Sequence, residues 1–184
     1  MATLFVDKIN PQSGTSLEIG SSGDTITIPS GATITNNGTQ TGFGGTMTPA
    51  FSVKKSSNQT IASTTTTKMQ LDSEFFDTDN KYDNSTNYRF TPTVAGKYFL
   101  YATTAFQNFT QNRVMSVSIK KNGSGIASFN NISGSYADDF SAIVSVILDA
   151  NTTDYFEAFC FHRGSGSQTM IGSQSTFGGY KIIE

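Results

Sequence analysis

The sequence predicts an all-β protein, an antiparallel sandwich preceded by an extended arm. Three observations carry this. Charged residues make up 14% of the chain, against roughly 25% in ordinary globular domains, and Thr, Ser, Asn and Gly fill the place of the residues that build surface helices. Aromatic residues are abundant, with 15 Phe and 7 Tyr, and with the β-branched residues they suit a pleated, half-buried surface. From Pro49 onward, runs of about five to ten residues are separated by turn clusters, the spacing of a sandwich rather than of alternating strands and helices. At 184 residues the chain accommodates one domain and an extension.

Residues 1–48 are read as the arm. They lack long apolar runs and are punctuated by glycines, among them Gly14, Gly20, Gly23 and Gly31. Gly23-Asp24-Thr25-Ile26 and Gly31-Ala32-Thr33-Ile34 resemble each other at an offset of eight residues, and Ile26 and Ile28 alternate with threonines. Such a segment forms an extended or short-β arm, or else a flexible Gly/Ser/Thr linker. A strand this short gains too little from its one apolar face to offset its ordering, so as a strand it must pack on something. Leu4, Phe5, Ile9, Ile26, Ile28 and Ile34 are the expected anchoring side chains, against identical neighbours or against a larger particle.

Residues 49–184 are read as the head. Strands are expected near 50–55, 67–71, 87–90, 96–106, 113–121, 125–132, 140–148, 155–161 and 176–183, with turns at Lys121-Asn122-Gly123, Gly134-Ser135 and Asp149-Ala150-Asn151. Two strands carry apolar residues on both faces: Tyr98-Phe99-Leu100-Tyr101, and the run from Tyr155 to Phe161. In a solitary antiparallel sandwich one face meets water and is polar. Association with further subunits is the simplest cover for a second aromatic face. Tyr98, Leu100, Phe156, Phe159, Phe161, Phe177 and Tyr180 are the expected interface, and the alternation leaves open which aromatic face is core.

Composition also excludes several classes. The net charge is -2 and no run of Lys or Arg exceeds two, so neither nucleic acid nor an anionic bilayer has an electrostatic footprint. No stretch approaches the roughly 20 apolar residues of a membrane span. Leu4-Phe5-Val6 is too short for the core of a signal peptide, and the single cysteine, Cys160, cannot form an intrachain disulfide; both favour assembly in a cytoplasm. No enzyme is expected and no cofactor. His162 is the only histidine, and zinc's usual ligand set is missing. The run Asp77 to Asp83 invites calcium, but Lys81, Tyr82 and Tyr88 stand where the calcium loop needs a ligand, a glycine and a glutamate. Asp138 and Asp139 are adjacent and point to opposite faces if extended, which suits no paired-carboxylate hydrolysis. The candidate binding surface is the set of distal loops, where alternate turns of an antiparallel roll gather; the other reading makes them solvated turns. Those near Asn58, 108–112, 133–138 and 162–174 offer Asn108, Asn112, Arg113, Tyr136, Asp138, His162 and Arg163 for hydrogen bonding and stacking.

The head resembles the globular head of the complement-component-1q family, a branch of the tumour-necrosis-factor-like jelly rolls. The residues that carry the likeness are Leu71, Asp77, Tyr82, Phe90, Gly96 and Tyr98, with Leu100 and Ala102 where the family prefers aromatics. Downstream, 117–123 resembles the family's strand and Asn-Gly turn. Residues 148–156, with Thr153-Asp154, are similar to the entry into its penultimate strand, and 175–183 to its terminal strand. The resemblance spans about residues 50–184 and implies a jelly roll that forms a homotrimer. The arm is not collagenous, having no Gly-X-Y period. It resembles instead the shafts and attachment segments of tailed-bacteriophage fibre proteins. The two likenesses together imply a virion structural protein: a homotrimeric tail fibre or surface decoration, assembled in the host cytoplasm. Its arm contacts other virion proteins, and its head faces a host polysaccharide or receptor. A secreted complement-1q-like or lectin-like binding protein of a cellular organism is the alternative reading, and a polysaccharide-cleaving enzyme is the third.

Overall fold

The computed structural model describes residues 9–38, 47–136 and 138–182. The chain divides into two units, Met1–Phe43 and Gly44–Glu184. In the first, no strand forms among the described residues 9–38, and all but Pro11 are exposed. Its order is local. Asp24 N–H donates to Ser21 O (3.0 Å) and Ala32 N–H to Pro29 O (3.1 Å), closing two four-residue turns eight residues apart. Each has a glycine with positive φ at its third position, Gly23 (94°) and Gly31 (85°), the left-handed conformation that a type II turn requires there. The sequence repeat is thus a repeat of turns, and Ile26 and Ile34 follow each turn at the same offset. Leu4 and Phe5 lie outside the described residues.

The second unit is a sandwich of two antiparallel sheets. Its strands are Ala50–Lys54 (β1), Gln59–Ile61 (β2), Thr67–Lys68 (β3), Ser73–Asp77 (β4), Tyr82–Asp83 (β5), Arg89–Phe90 (β6) and Gly96–Phe109 (β7). Then follow Val114–Lys121 (β8), Ser124–Ile132 (β9), Asp138–Ala150 (β10), Phe156–His162 (β11), Gln168–Met170 (β12) and Thr176–Lys181 (β13). The first sheet runs β2-β12-β7-β13-β1-β4, with β10 along the other edge of β7. The second runs β5-β6-β11-β8-β9, with β3 also on β11. The long expected strands are all present. β2, β4, β5 and β12 were not expected from the sequence, and the expected strand at 67–71 pairs only over Thr67–Lys68.

Alternation places the core. On β7, Tyr98, Leu100 and Ala102 point inward, while Phe99, Tyr101 and Thr103 point outward and are half-buried. On β11, Phe156, Ala158, Cys160 and His162 point inward. Between the sheets, Phe51 stacks on Phe90 (4.2 Å between centroids) and meets Phe177 edge-on (5.0 Å). Leu71, Tyr82, Phe90, Tyr98, Leu100 and Ala102, the positions singled out in the sequence, are all core residues. β8 and β9 are joined by Asn122-Gly123, both with positive φ (53° and 81°), the type I′ geometry that matches strand twist.

Candidate association surface and distal loops

The outer face of the first sheet carries exposed apolar side chains in neighbouring positions. Cross-strand register builds it in rows. Ile147 of β10 lies opposite Phe99 of β7, which lies opposite Tyr180 of β13, next to Ala50 of β1. Ser145, Tyr101, Gly178, Ser52 and Phe76 form the next row, and Ile143, Thr103, Thr176 and Lys54 the third. Phe99 packs against Tyr180 at 5.4 Å and Tyr101 at 6.2 Å between centroids. Tyr101 lies flat across Gly178, where a Cβ would come within 2.7 Å of its ring, and its hydroxyl meets Ser52 Oγ at 3.1 Å. Ile143 (59%), Ile147 (62%) and Phe76 (51%) are exposed, as is Tyr180.

This band continues round the edge strand β10. Phe129 of β9, 46% exposed, shares a groove of about 480 Å³ with Ile143 and Thr103. Asn131 Nδ2 donates to Ser141 O at 3.2 Å, tying the edges of the two sheets together. One surface therefore presents an aromatic face and, beside it, an aliphatic edge.

The expected interface set divides by strand parity, and four of its members are corrected. Tyr98, Leu100, Phe156 and Phe177 occupy inward positions and are fully buried within the protomer, so they are core and not interface. Their outward neighbours Phe99 and Tyr101 were missed. Aromatics on both faces of a strand leave parity undetermined, and the strand's partners decide it. Tyr180 lies on the exposed band, while Phe159 and Phe161 lie half-buried on the outer face of the second sheet.

The distal loops do converge. Ser133 Oγ donates to Thr110 O (2.7 Å) and accepts from Arg113 N–H (3.1 Å), and Asn112 N–H donates to Gly134 O (3.0 Å). Ser165 N–H and Gln168 Nε2 donate to Thr110 Oγ1, both at 3.2 Å, and Asn108 N–H donates to Asp139 Oδ1 at 3.0 Å. Asn108, Asn112, Arg113, Asp138 and Arg163 are exposed there, and Tyr136 is 83% exposed.

His162 is a second correction. It follows the inward alternation of β11, is fully buried, and packs edge-on against Phe106 (5.2 Å) and Phe109 (5.9 Å). Gly164 N–H donates to Nδ1 (3.0 Å), so Nδ1 is an acceptor and Nε2 carries the proton that Ile61 O receives (2.9 Å). It is a polar strut of the core rather than a surface ligand. Asn58 is tied to the 162–174 loop: its Oδ1 accepts Gly172 N–H (3.0 Å).

The acidic run is occupied by local contacts. Asp77 accepts the N–H groups of Tyr82 (2.7 Å) and Asp79 (3.3 Å), and Asp79 accepts the Thr93 and Thr78 hydroxyls. The backbone N–H of Thr86, with Asn87 and Ser85 behind it, holds the Asp83 carboxyl well below the usual range.

No family model matches the chain and no curated protein matches it. Solved structures do. The globular domain of zebrafish complement 1qA aligns at 17% identity and a TM-score of 0.50, over 73% of this chain and 97% of that one. Eiger TNF from S. frugiperda aligns at 9% identity and a TM-score of 0.54, over 72% and 91%. Murine APRIL aligns at 12% identity and a TM-score of 0.53, over 72% and 98%. With its two antiparallel sheets, this chain folds as a jelly roll of the complement-1q and tumour-necrosis-factor type.

Proposed function

We propose that this chain is a non-enzymatic structural protein that works as a homotrimer: a virion fibre or decoration whose head projects from the particle and whose arm attaches it. The observation that carries the self-association is the band of Phe99, Tyr101, Tyr180, Ile143 and Ile147. Exposed apolar surface of this extent marks an interaction site. Its two parts, an aromatic face and an aliphatic edge, lie side by side, so the edge of one copy can seat on the face of the next. Repeated head to tail, such a contact closes into a ring when the rotation between neighbours is a whole fraction of a turn. The fold likeness supports three as the ring size.

The arm supports the attachment half. Ile9, Leu17, Ile19, Ile26, Ile28 and Ile34 are each between 44% and 61% exposed, and a single copy has no core to hide them in. The distal loops are the surface offered to a host.

Sedimentation equilibrium tests the assembly. The expected mass is three times the 19.7 kDa of one chain. The Ile143→Glu/Ile147→Glu variant should sediment as a folded monomer, and a monomeric wild type overturns the reading. Labelling of intact particles with an antibody against the head tests the location: absence of the protein from purified virions removes the virion role.

A further inference from the structure

We propose that the outer face of the second sheet is a binding trough for an acidic oligosaccharide. This face lies across the sandwich from the aromatic band, so it stays open when that band is covered. It depends on the self-association reading for that openness alone. The trough runs along β8. Its floor is made of small side chains, Val114, Ser116 and Ser118, all half-buried and all outward-facing. Register raises a wall on each side. Phe161, Ser116 and Asn130 form one row across β11, β8 and β9, and Phe159, Ser118 and Ser128 form the next. Arg163 N–H donates to Val114 O at 2.8 Å, which places Arg163 at one end of the floor, opposite Ile132.

The resulting cavity is about 650 Å³ and runs on into a second depression of about 300 Å³ that shares Ser118 and Ser128 and ends at Gly125. Gly125 faces Lys120. From Val114 to Lys120 the floor spans six residue-to-residue steps, about 20 Å at 3.3 Å per step. Its shape therefore suits an elongated ligand.

Its chemistry is specific. The side chains of Ser116, Ser118, Ser128 and Asn130 have no hydrogen-bond partner among the described residues, leaving three hydroxyls and an amide in one field to serve a polyhydroxylated ligand. The Phe161 ring supplies a flat apolar wall, the usual complement to the C–H face of a sugar ring. Charge then selects among sugars. Beside the trough Lys68, Lys120 and Arg163 stand against one carboxylate, Glu157, which pairs with Lys68; Asp83 and Arg89 face each other farther along the sheet on β5 and β6. Lys120 and Arg163 make no ion pair among the described residues; they lie over the Phe159 and Phe161 rings at 4.0 and 5.9 Å from the centroids. A chain of net charge -2 thus keeps two uncompensated cations at the two ends of one polar trough. Carboxylates spaced along an oligosaccharide meet both, and Arg163 can take one in a bidentate pair.

Calorimetric titration of the full chain with an α-1,4-linked galacturonic acid hexamer tests this, with maltohexaose as the neutral sugar and poly-L-glutamate as the polyanion without sugar. The hexauronate should bind, and both controls should bind at least tenfold more weakly. Arg163→Gln should weaken hexauronate binding about tenfold, and Ser118→Phe, which fills the floor from the solvent side, should abolish it. Absence of hexauronate binding, equal binding of poly-L-glutamate, or an unchanged Ser118→Phe variant overturns the proposal. The Ile143→Glu/Ile147→Glu variant should keep its affinity per site. If it does, the trough stands even where trimer formation fails; if wild type is trimeric but binds nothing, the trough alone falls.

Discussion

Asp154 clasps the two turns at the end of the sandwich opposite the distal loops, and acid should open that clasp. Its Oδ2 accepts the Lys121 ammonium (2.8 Å) and Asn151 N–H (2.8 Å), and its Oδ1 accepts Asn122 Nδ2 (2.7 Å). Asn122 in turn accepts Tyr155 N–H at 2.9 Å. The Lys121 ammonium, first, and then Asn151 N–H hold the carboxyl at about 2, against 3.8 when free. With a side chain only 9% accessible, solvent screens little of this. A depression of that size corresponds to about 2 kcal/mol, at 1.36 kcal/mol per pH unit. The sign follows from the depressed value: the contribution is complete above the unfolded carboxyl's 3.8 and disappears as pH falls through about 2.

Asp154→Asn removes the charge at every pH and sets an amide against Asn151 N–H and the ammonium. Urea unfolding of both proteins in the Ile143→Glu/Ile147→Glu background keeps dissociation out of the transition. The variant should be about 2 kcal/mol less stable at pH 7, and the gap should close between pH 4 and pH 2. Asp72 and Asp83 are also held below their usual range. Burial pushes Asp72 up, but the Lys55 and Ser56 contacts together outweigh it. Both are present in the two proteins, so they cancel from the difference. A gap that does not change with pH, or one below about 0.5 kcal/mol at pH 7, would refute the reasoning.

Burial pushes the Cys160 thiol up to about 12, so it should resist Ellman's reagent at pH 8 and react stoichiometrically once urea unfolds the chain. At Gly179 a Cβ would lie 2.4 Å from Leu100 Cδ2 and 2.5 Å from Phe99 O; Gly179→Ala should lower stability by about 3 kcal/mol through overpacking, read as a fall in Tm. At Gly178 the nearest atoms to a Cβ are those of the movable Tyr101 side chain, and Gly178→Ala should cost less. His162→Leu keeps the volume but orphans Gly164 N–H and Ile61 O, and should cost about 2–4 kcal/mol in the same urea assay. Phe90→Ala, which removes the ring stacked on Phe51, should cost about 3–5 kcal/mol.

What the sequence discloses here follows strand length. β7, β8, β10 and β11 run for 14, 8, 13 and 7 residues, long enough for a period of two to show above chance. β2, β3, β5, β6 and β12 have two or three residues each, and no period exists in so few. Their pairing is decided by neighbours distant in the chain, as when Gln168–Met170 is held by Gln59–Ile61 on one side and Phe106–Gln107 on the other. The interface shows the other limit. Tyr98-Phe99-Leu100-Tyr101 announces two apolar faces without saying which is inside. On Phe156 to His162 the even spacing puts Cys160 and His162 on one face with Phe156, but that this face is the inward one is decided by the strands around it. The trough lay beyond sequence reading altogether: Ser116, Asn130 and Phe161 become neighbours only through register across three strands.

The two outer faces of this sandwich are built by the same alternation and differ in what the alternate positions hold. On the first sheet they hold Phe99, Tyr101, Ile143 and Ile147, with the Ser52 and Tyr101 hydroxyls and the Thr103 and Thr176 hydroxyls bonded to each other. On the second they hold Ser116, Ser118, Ser128 and Asn130 between cations, with donors and acceptors left open. Water tolerates the second face and disfavours the first, so association through the first leaves the second outward. Three copies about one axis would then present three troughs on one rigid body. A shallow, solvent-open site binds weakly by itself, since each sugar hydroxyl exchanges one hydrogen bond with water for one with protein. Repetition alters that outcome, because a polysaccharide held at one trough reaches the next at high effective concentration without any new contact. If both proposals hold, a surface that is modest in one protomer would become an effective grip in a trimer.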